Sequence, residues 1–511
     1  MLAPAIPPAV GSRIAARLAA PAAVLLLGAA PAGAPPDIGL FAQAVSLEEG
    51  PAREALKQLA SAWKDDYAAL IVDMARLMKA PARRRASFDL GGAPASDEVD
   101  AIESGPAPRR EPFPRPLGAS GDPSVSVRER LVRFLEQQTG QRYGQDLTRW
   151  RHWMWNRPYA PHPDYAAFKA GLYARIDPRM ASFFAPGPRP LIRLDEVEWG
   201  GVPVNGIPPL AYPRNLPARD ARYLGARDVV FGIALNGEAR AYPRRILAWH
   251  ELARDRIGGV ELTIVYCTLC GTVIPYGSDA GGALRTFGTS GLLYRSNKLM
   301  FDEETMSLWS SAEGRPVIGS LAGSGLELRD YPVVTTTWRE WRSAHPETSV
   351  LSLQTGFERD YSEGAAYRDY FATDRLMFPV PRTDARLKNK DEVLTLLVAP
   401  PEGGERRALA FAADFLRKQR LVTASFAGRE LLVLTTPDGA NRVYEKGPHR
   451  FTRIADGRLE DGEGRRFRVD EDALRAEDRE PPVLPRLPAR RAFWFGWYAQ
   501  FPDTELVTGR R

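Results

Sequence analysis

The second half of this chain echoes the first, in order. Asp220-Ala221-Arg222 returns as Asp384-Ala385-Arg386, and Asp228-Val229-Val230 as Glu392-Val393-Leu394, both 164 residues on. Ala241-Tyr242 and Leu247 match Ala410-Phe411 and Leu416, now 169 residues on, and Gly259-Val260-Glu261-Leu262 matches Gly428-Arg429-Glu430-Leu431 at the same offset. Trp341 through Pro346-Glu347-Thr348 matches Trp497 through Pro502-Asp503-Thr504. Preserved order with slowly drifting offsets points to internal duplication of one unit.

That unit reads as β-rich. An apolar run at 229–235, then Asn236-Gly237, then 238–242 has the form of a hairpin, because Asn-Gly supplies the positive φ angles of a tight turn. A short helix is expected over 244–257, carrying His250. Strands are expected at 261–266 and 272–276, with more short strands separated by glycine to about residue 335.

Upstream the pattern is helical. Between 47 and 79, Leu56, Leu59, Trp63, Tyr67, Leu70, Met74 and Leu77 recur in steps of three and four. Residues 80–125 are rich in Pro, Gly, Arg and Ser and read as a linker. Ser126 and Glu129 suggest a capped helix start, with Gly140 at its end. Trp150, Trp153 and Trp155 are expected in a core. The reading is therefore α+β. A helical segment (45–79), the linker and a second helical region (126–190) precede two related halves, 191–380 and a degenerate copy at 381–511. A length of 511 residues suits several domains.

The first 44 residues have the layout of an export signal. Arg13 and Arg17 precede a small, apolar stretch at 18–30, followed by Ala32-Gly33-Ala34. The expected location is periplasmic or extracellular, and the other reading is an uncleaved anchor, which alone would give membrane contact. A net charge of +6, with both signs interspersed, gives no nucleic-acid footprint. The expected partner is an exported protein or a small molecule.

Cys267 and Cys270 are the only cysteines, spaced C-x-x-C between the two strand patterns. The echo places Thr435 and Asp438 opposite them, and Gln419 opposite His250. The apolar skeleton is matched while the reactive groups occur once, so the first copy carries the candidate site. Pro275 argues against the helix that follows the first cysteine of a thioredoxin motif.

Two chemistries fit. In a redox site Cys267 and Cys270 cycle between dithiol and disulfide, a nearby His250 favours the thiolate, and Glu251 or Asp255 orients the imidazole. In a soft-metal site Cys267, Cys270, His250 and a thioether, Met300 or Met306, hold copper ahead of zinc. The alternative is a non-catalytic binding module with a structural disulfide, without a cofactor. Asp302-Glu303-Glu304 reads as a solvated turn. Phosphate-loop, dinucleotide and H-E-x-x-H motifs are absent from the sequence.

Arg240-Ala241-Tyr242-Pro243, His250-Glu251 and the run from Tyr266 to Thr272 resemble a largely bacterial domain-of-unknown-function family, number 3179. So do Gly288 to Tyr294, Leu308-Trp309-Ser310 and the stretch from Thr336 to Pro346. The resemblance is close over about 190–380. It departs at Thr268, where the family pattern has proline, and at Arg254-Asp255, where it has Asn-Asp. It implies export and identifies the domain, but supplies no activity.

Overall fold

The computed structural model describes residues 35–78, 123–455, 458–478 and 483–509. The apolar stretch at 18–30 and most of the 80–125 linker lie outside these. No helix among the described residues is long and apolar enough to cross a membrane.

The fold is mixed α+β. Helices Glu49–Ser61, Ala68–Arg76, Pro123–Thr139, Leu147–Trp155 and Tyr165–Tyr173 form the amino-terminal part. The helix expected to start after Ser126 already begins at Pro123, whose fixed φ suits a first turn. Gly140 follows that helix at φ +71°. One core joins both helical stretches: Leu59, Leu70, Ile71, Leu131, Leu135 and Trp150 pack with Leu292, Leu299 and Phe301 of the β part. Buried ions pin the same contact. Glu198 takes Arg76 at 2.7 Å and Arg151 at 2.8 Å, and Asp73 takes Lys169 at 2.8 Å.

The β part contains two sets of elements with the same order and the same strand pairings. In the first, hairpin Val229–Leu235 and Glu238–Pro243 is flanked by antiparallel Val334–Thr337 and parallel Ser349–Leu351. In the second, Glu392–Val398 and Arg407–Ala412 are flanked by antiparallel Arg490–Phe493 and parallel Glu505–Val507. A short helix follows each hairpin, Arg244–His250 and Ala413–Gln419, and another lies between each set's last two strands, Trp338–Ala344 and Trp494–Gln500. Asn236 and Gly237 sit at φ 49° and 85°, as an Asn-Gly hairpin turn requires.

The helix expected over 244–257 is shorter. It ends at His250, Glu251 turns left-handed at φ 55°, and Leu252–Ile257 forms a strand against Val260–Cys267. Arg254 and Arg256 face outward more than Leu252 and Ala253, a strand's alternation that the helical reading missed. Arg420, in the corresponding place, has φ 62°. The strained conformation therefore belongs to the fold and not to the site.

The acidic turn at 302–304 is only partly solvated. Asp302 is fully buried and accepts hydrogen bonds from the Thr305 amide at 2.8 Å and from Trp309 Nε1 at 2.8 Å. Its carboxylate folds the turn.

Candidate functional site

Strands Val260–Cys267 and Thr272–Gly277 present the cysteines on the turn between them. Cys267 and Cys270 are linked as a disulfide, with Cα atoms 5.3 Å apart. Cys270 N donates to Cys267 O at 3.1 Å and Gly271 N to Thr268 O at 3.2 Å. Gly271 has φ +60°, and a Cβ there would meet the Phe493 ring at 2.9 Å, so glycine is required on both counts. The second half closes the turn from outside. Phe493 N donates to Cys270 O at 2.7 Å, and Gly496 lies so close that a Cβ would come within 3.0 Å of Cys270 Cβ.

Both sulfurs are buried, Cys267 at 3% and Cys270 at 1% exposure, among Leu269, Tyr370 and Phe378. Two polar groups face Cys270 Sγ: Ser296 O at 3.4 Å and, closer, the Asn297 side chain. Its Nδ2 donates to Arg295 O and Gly496 O, both at 3.0 Å, which fixes Oδ1 toward Cys270 Sγ at 3.0 Å. Thr268, next to Cys267 in sequence, Thr272, the ladder partner of Cys267, and Ser296, whose carbonyl faces Cys270 Sγ, are all buried and have side-chain oxygens without a hydrogen-bond partner among the described residues.

His250 is buried and fully occupied elsewhere. Nδ1 faces Pro208 O at 2.8 Å, an acceptor, so Nδ1 carries the proton; Nε2 then accepts from Tyr361 Oη at 2.6 Å. Burial pushes its pKa down to about 4, despite the opposing hydrogen bond to Pro208. Thus neither ring nitrogen is offered to the sulfurs. The unfolded imidazole titrates near 6.5, so the unfolded state binds more protons between pH 6.5 and 4. Unfolding measurements should therefore show stability falling as pH drops through that window, by up to about 3 kcal/mol, with His250→Gln removing this part of the slope. A slope identical in the variant would mean that another group is responsible.

Glu251 does not orient His250. Its carboxylate forms an ion pair with Lys298 and accepts from Tyr367 Oη at 3.1 Å. Met300 is fully buried in an apolar cluster with Leu252, Val265, Ile274 and Trp309, separate from the one holding the sulfurs. Met306 occupies a turn at φ 57°. No group of three His, Cys, Asp or Glu that could hold a metal occurs among the described residues. The structure brings Cys267 to Cys270, and leaves His250 and Met300 committed to packing and hydrogen bonding.

The motifs around this turn carry a family match. The family described as "Protein of unknown function (DUF3179)" matches residues 204–504, well over half of the chain. The chain belongs to this family. The match covers the first β set and all of the second except its last strand, Glu505–Val507, so the DUF3179 region includes most of the second half as well as the cysteine turn. No curated protein and no solved structure matches the chain.

Lys298 and Tyr367 were not singled out from the sequence. Lys298 lies in strand Asn297–Asp302, every residue of which is buried. A lysine between Asn297 and the apolar run Leu299-Met300-Phe301 was the available signal.

Proposed function

We propose that this DUF3179 protein is an exported thiol/disulfide redox protein whose Cys267–Cys270 pair cycles between dithiol and disulfide. The carrying observation is the fixed Asn297 Oδ1. It faces Cys270 Sγ, and the described residues offer it no other hydrogen-bond donor. It has a donor when Cys270 is a thiol and loses that donor when the disulfide forms. A buried acceptor without a donor costs about 1–3 kcal/mol, so this contact favours the dithiol and makes the disulfide more oxidising.

The second half supports the same reading. Its corresponding turn is closed by Asn441 Nδ2 donating to Thr435 Oγ1 and Ala440 N donating to Thr436 Oγ1, both at 2.9 Å. This turn therefore needs no disulfide, and the shared order of elements fits an origin by duplication. In exchange, the dithiol and a partner disulfide become the Cys267–Cys270 disulfide and a partner dithiol. Burial of both sulfurs favours a small partner over a protein surface. The soft-metal reading has less support, because His250 has both nitrogens engaged.

Redox titration against glutathione tests the proposal. The pair should equilibrate in the native protein. Asn297→Ala should lower the midpoint by roughly 20–30 mV, the equivalent of one hydrogen bond of about 1 kcal/mol. A disulfide that stays closed to reductant until the chain unfolds would leave the structural-staple reading in its place.

A further inference from the structure

A small cleft, about 50 Å³ in volume, opens beside the cysteine turn, with Leu269 of the turn in its wall. Val202, Ile207, Leu293, Met377 and Phe378 make it largely apolar. Glu251, Lys298 and Tyr367 supply its polar end. An apolar wall with few convergent polar groups is the usual composition of a small-molecule site.

The donors and acceptors at the polar end can be assigned one by one. Lys298 Nζ donates to the Glu251 carboxylate and, at 3.4 Å, to Glu251 O. Tyr367 Oη donates to Glu251 Oε1. Thr289 Oγ1 donates to Ile207 O at 2.7 Å, and Ser290 Oγ to Leu299 O at 2.6 Å. An ammonium has three N–H donors, so one on Lys298 is left over among the described residues. The ion pair itself is neutral. An anion entering here would meet the Glu251 carboxylate, and a cation would meet Lys298. A neutral carbonyl oxygen meets neither penalty and uses the remaining donor.

We propose that this cleft binds a small, neutral, mostly apolar molecule through a carbonyl oxygen that accepts a hydrogen bond from Lys298 Nζ. Burial lowers the Lys298 pKa, against the raising effect of Glu251, so the amine is also easier to deprotonate than an ordinary lysine. The site does not depend on the redox state of Cys267 and Cys270.

The amine makes the site testable with a carbonyl probe. Benzaldehyde and cyanoborohydride are added to the full chain near neutral pH, and the sites of reaction are found by peptide mass mapping. The amine nitrogen bonds to the aldehyde carbon, its oxygen leaves as water, and hydride from cyanoborohydride reduces the imine to a benzylamine. Lys298 should react at least about tenfold faster than Lys57 and Lys64, which are exposed. Met377→Trp changes a half-buried wall residue and avoids the ion pair, so it should fill the cleft without unfolding the chain. It should slow Lys298 at least about tenfold and leave Lys57 and Lys64 unchanged. Acetophenone should compete and benzoate should not. Labelling of Lys298 no faster than of the exposed lysines, or indifferent to Met377→Trp, overturns the site. Equal competition by benzoate overturns its preference for a neutral ligand.

Discussion

Lys298→Met should destabilise the protein by about 3–5 kcal/mol in urea or thermal unfolding. The side chains of Lys298 and Glu251 are each 7% exposed and face one another. Removing the cation leaves the Glu251 carboxylate with the Tyr367 hydroxyl as its remaining side-chain donor. An uncompensated buried charge costs far more than a lost surface pair, whose removal changes stability by about 1 kcal/mol or less. The double variant Glu251→Gln/Lys298→Met takes out both charges, keeps an acceptor for Tyr367, and should recover most of the loss. A double variant no more stable than the single one would show that packing around the lysine stem, and not charge, sets the cost.

An effect of similar size is expected at Glu471. This carboxylate takes Arg442 at 2.5 Å, is paired with Arg486, and meets His345 Nε2 at 3.2 Å. Arg486 also donates to Val333 O at 3.3 Å, so the cluster joins the second half of the chain to the first. Burial raises the Glu471 pKa, but the pull of Arg442 and Arg486 outweighs it and holds the group well below the usual carboxylate range. Its folded pKa is thus depressed. The stabilisation is complete above the unfolded value of about 4.3 and is lost as pH falls from there through the folded pKa. Glu471→Gln should cost about 3–5 kcal/mol at neutral pH, because two buried guanidinium groups lose their counterion. The variant should also lose part of the wild type's decline below pH 4.3. Circular dichroism melts at pH 7 and pH 3 would show both. A constant difference between variant and wild type across that range would exclude Glu471 as the acid-sensitive group.

These two clusters mark where sequence reasoning reaches its limit. The hairpin at Asn236-Gly237 and the strand–turn–strand around Cys267 and Cys270 were legible, because local turn chemistry and alternation determine them. The end of the helix at His250 was not, since Leu252-Ala253-Arg254 continues an apolar-polar pattern compatible with either element. The partners of Glu251 were hidden for a different reason. Lys298 and Tyr367 lie 47 and 116 residues away, one on a strand and one at the start of a short helix, and only tertiary packing brings them to Glu251. His250 drew attention as one of five histidines near a cysteine motif, yet its hydrogen bonds run to Pro208 and Tyr361. Rarity singled out the residue but gave no direction for its ring.

The closing of the cysteine turn by Phe493 and Gly496 has a consequence for the order of synthesis. The two cysteines are made more than two hundred residues before the strand and helix that cover them. Domains fold from the amino terminus as the chain emerges, so the first β set can form while this side of the turn is still bare. Until residues 490–500 arrive, the turn lacks the cover that Phe493 and Gly496 provide, and their docking then narrows the access through which the pair exchanges with its partner. The helix Trp494–Gln500 and the strand before it thus set how fast the turn can react: a chain stopped before residue 490 should exchange its cysteines with a given thiol faster than the full chain does.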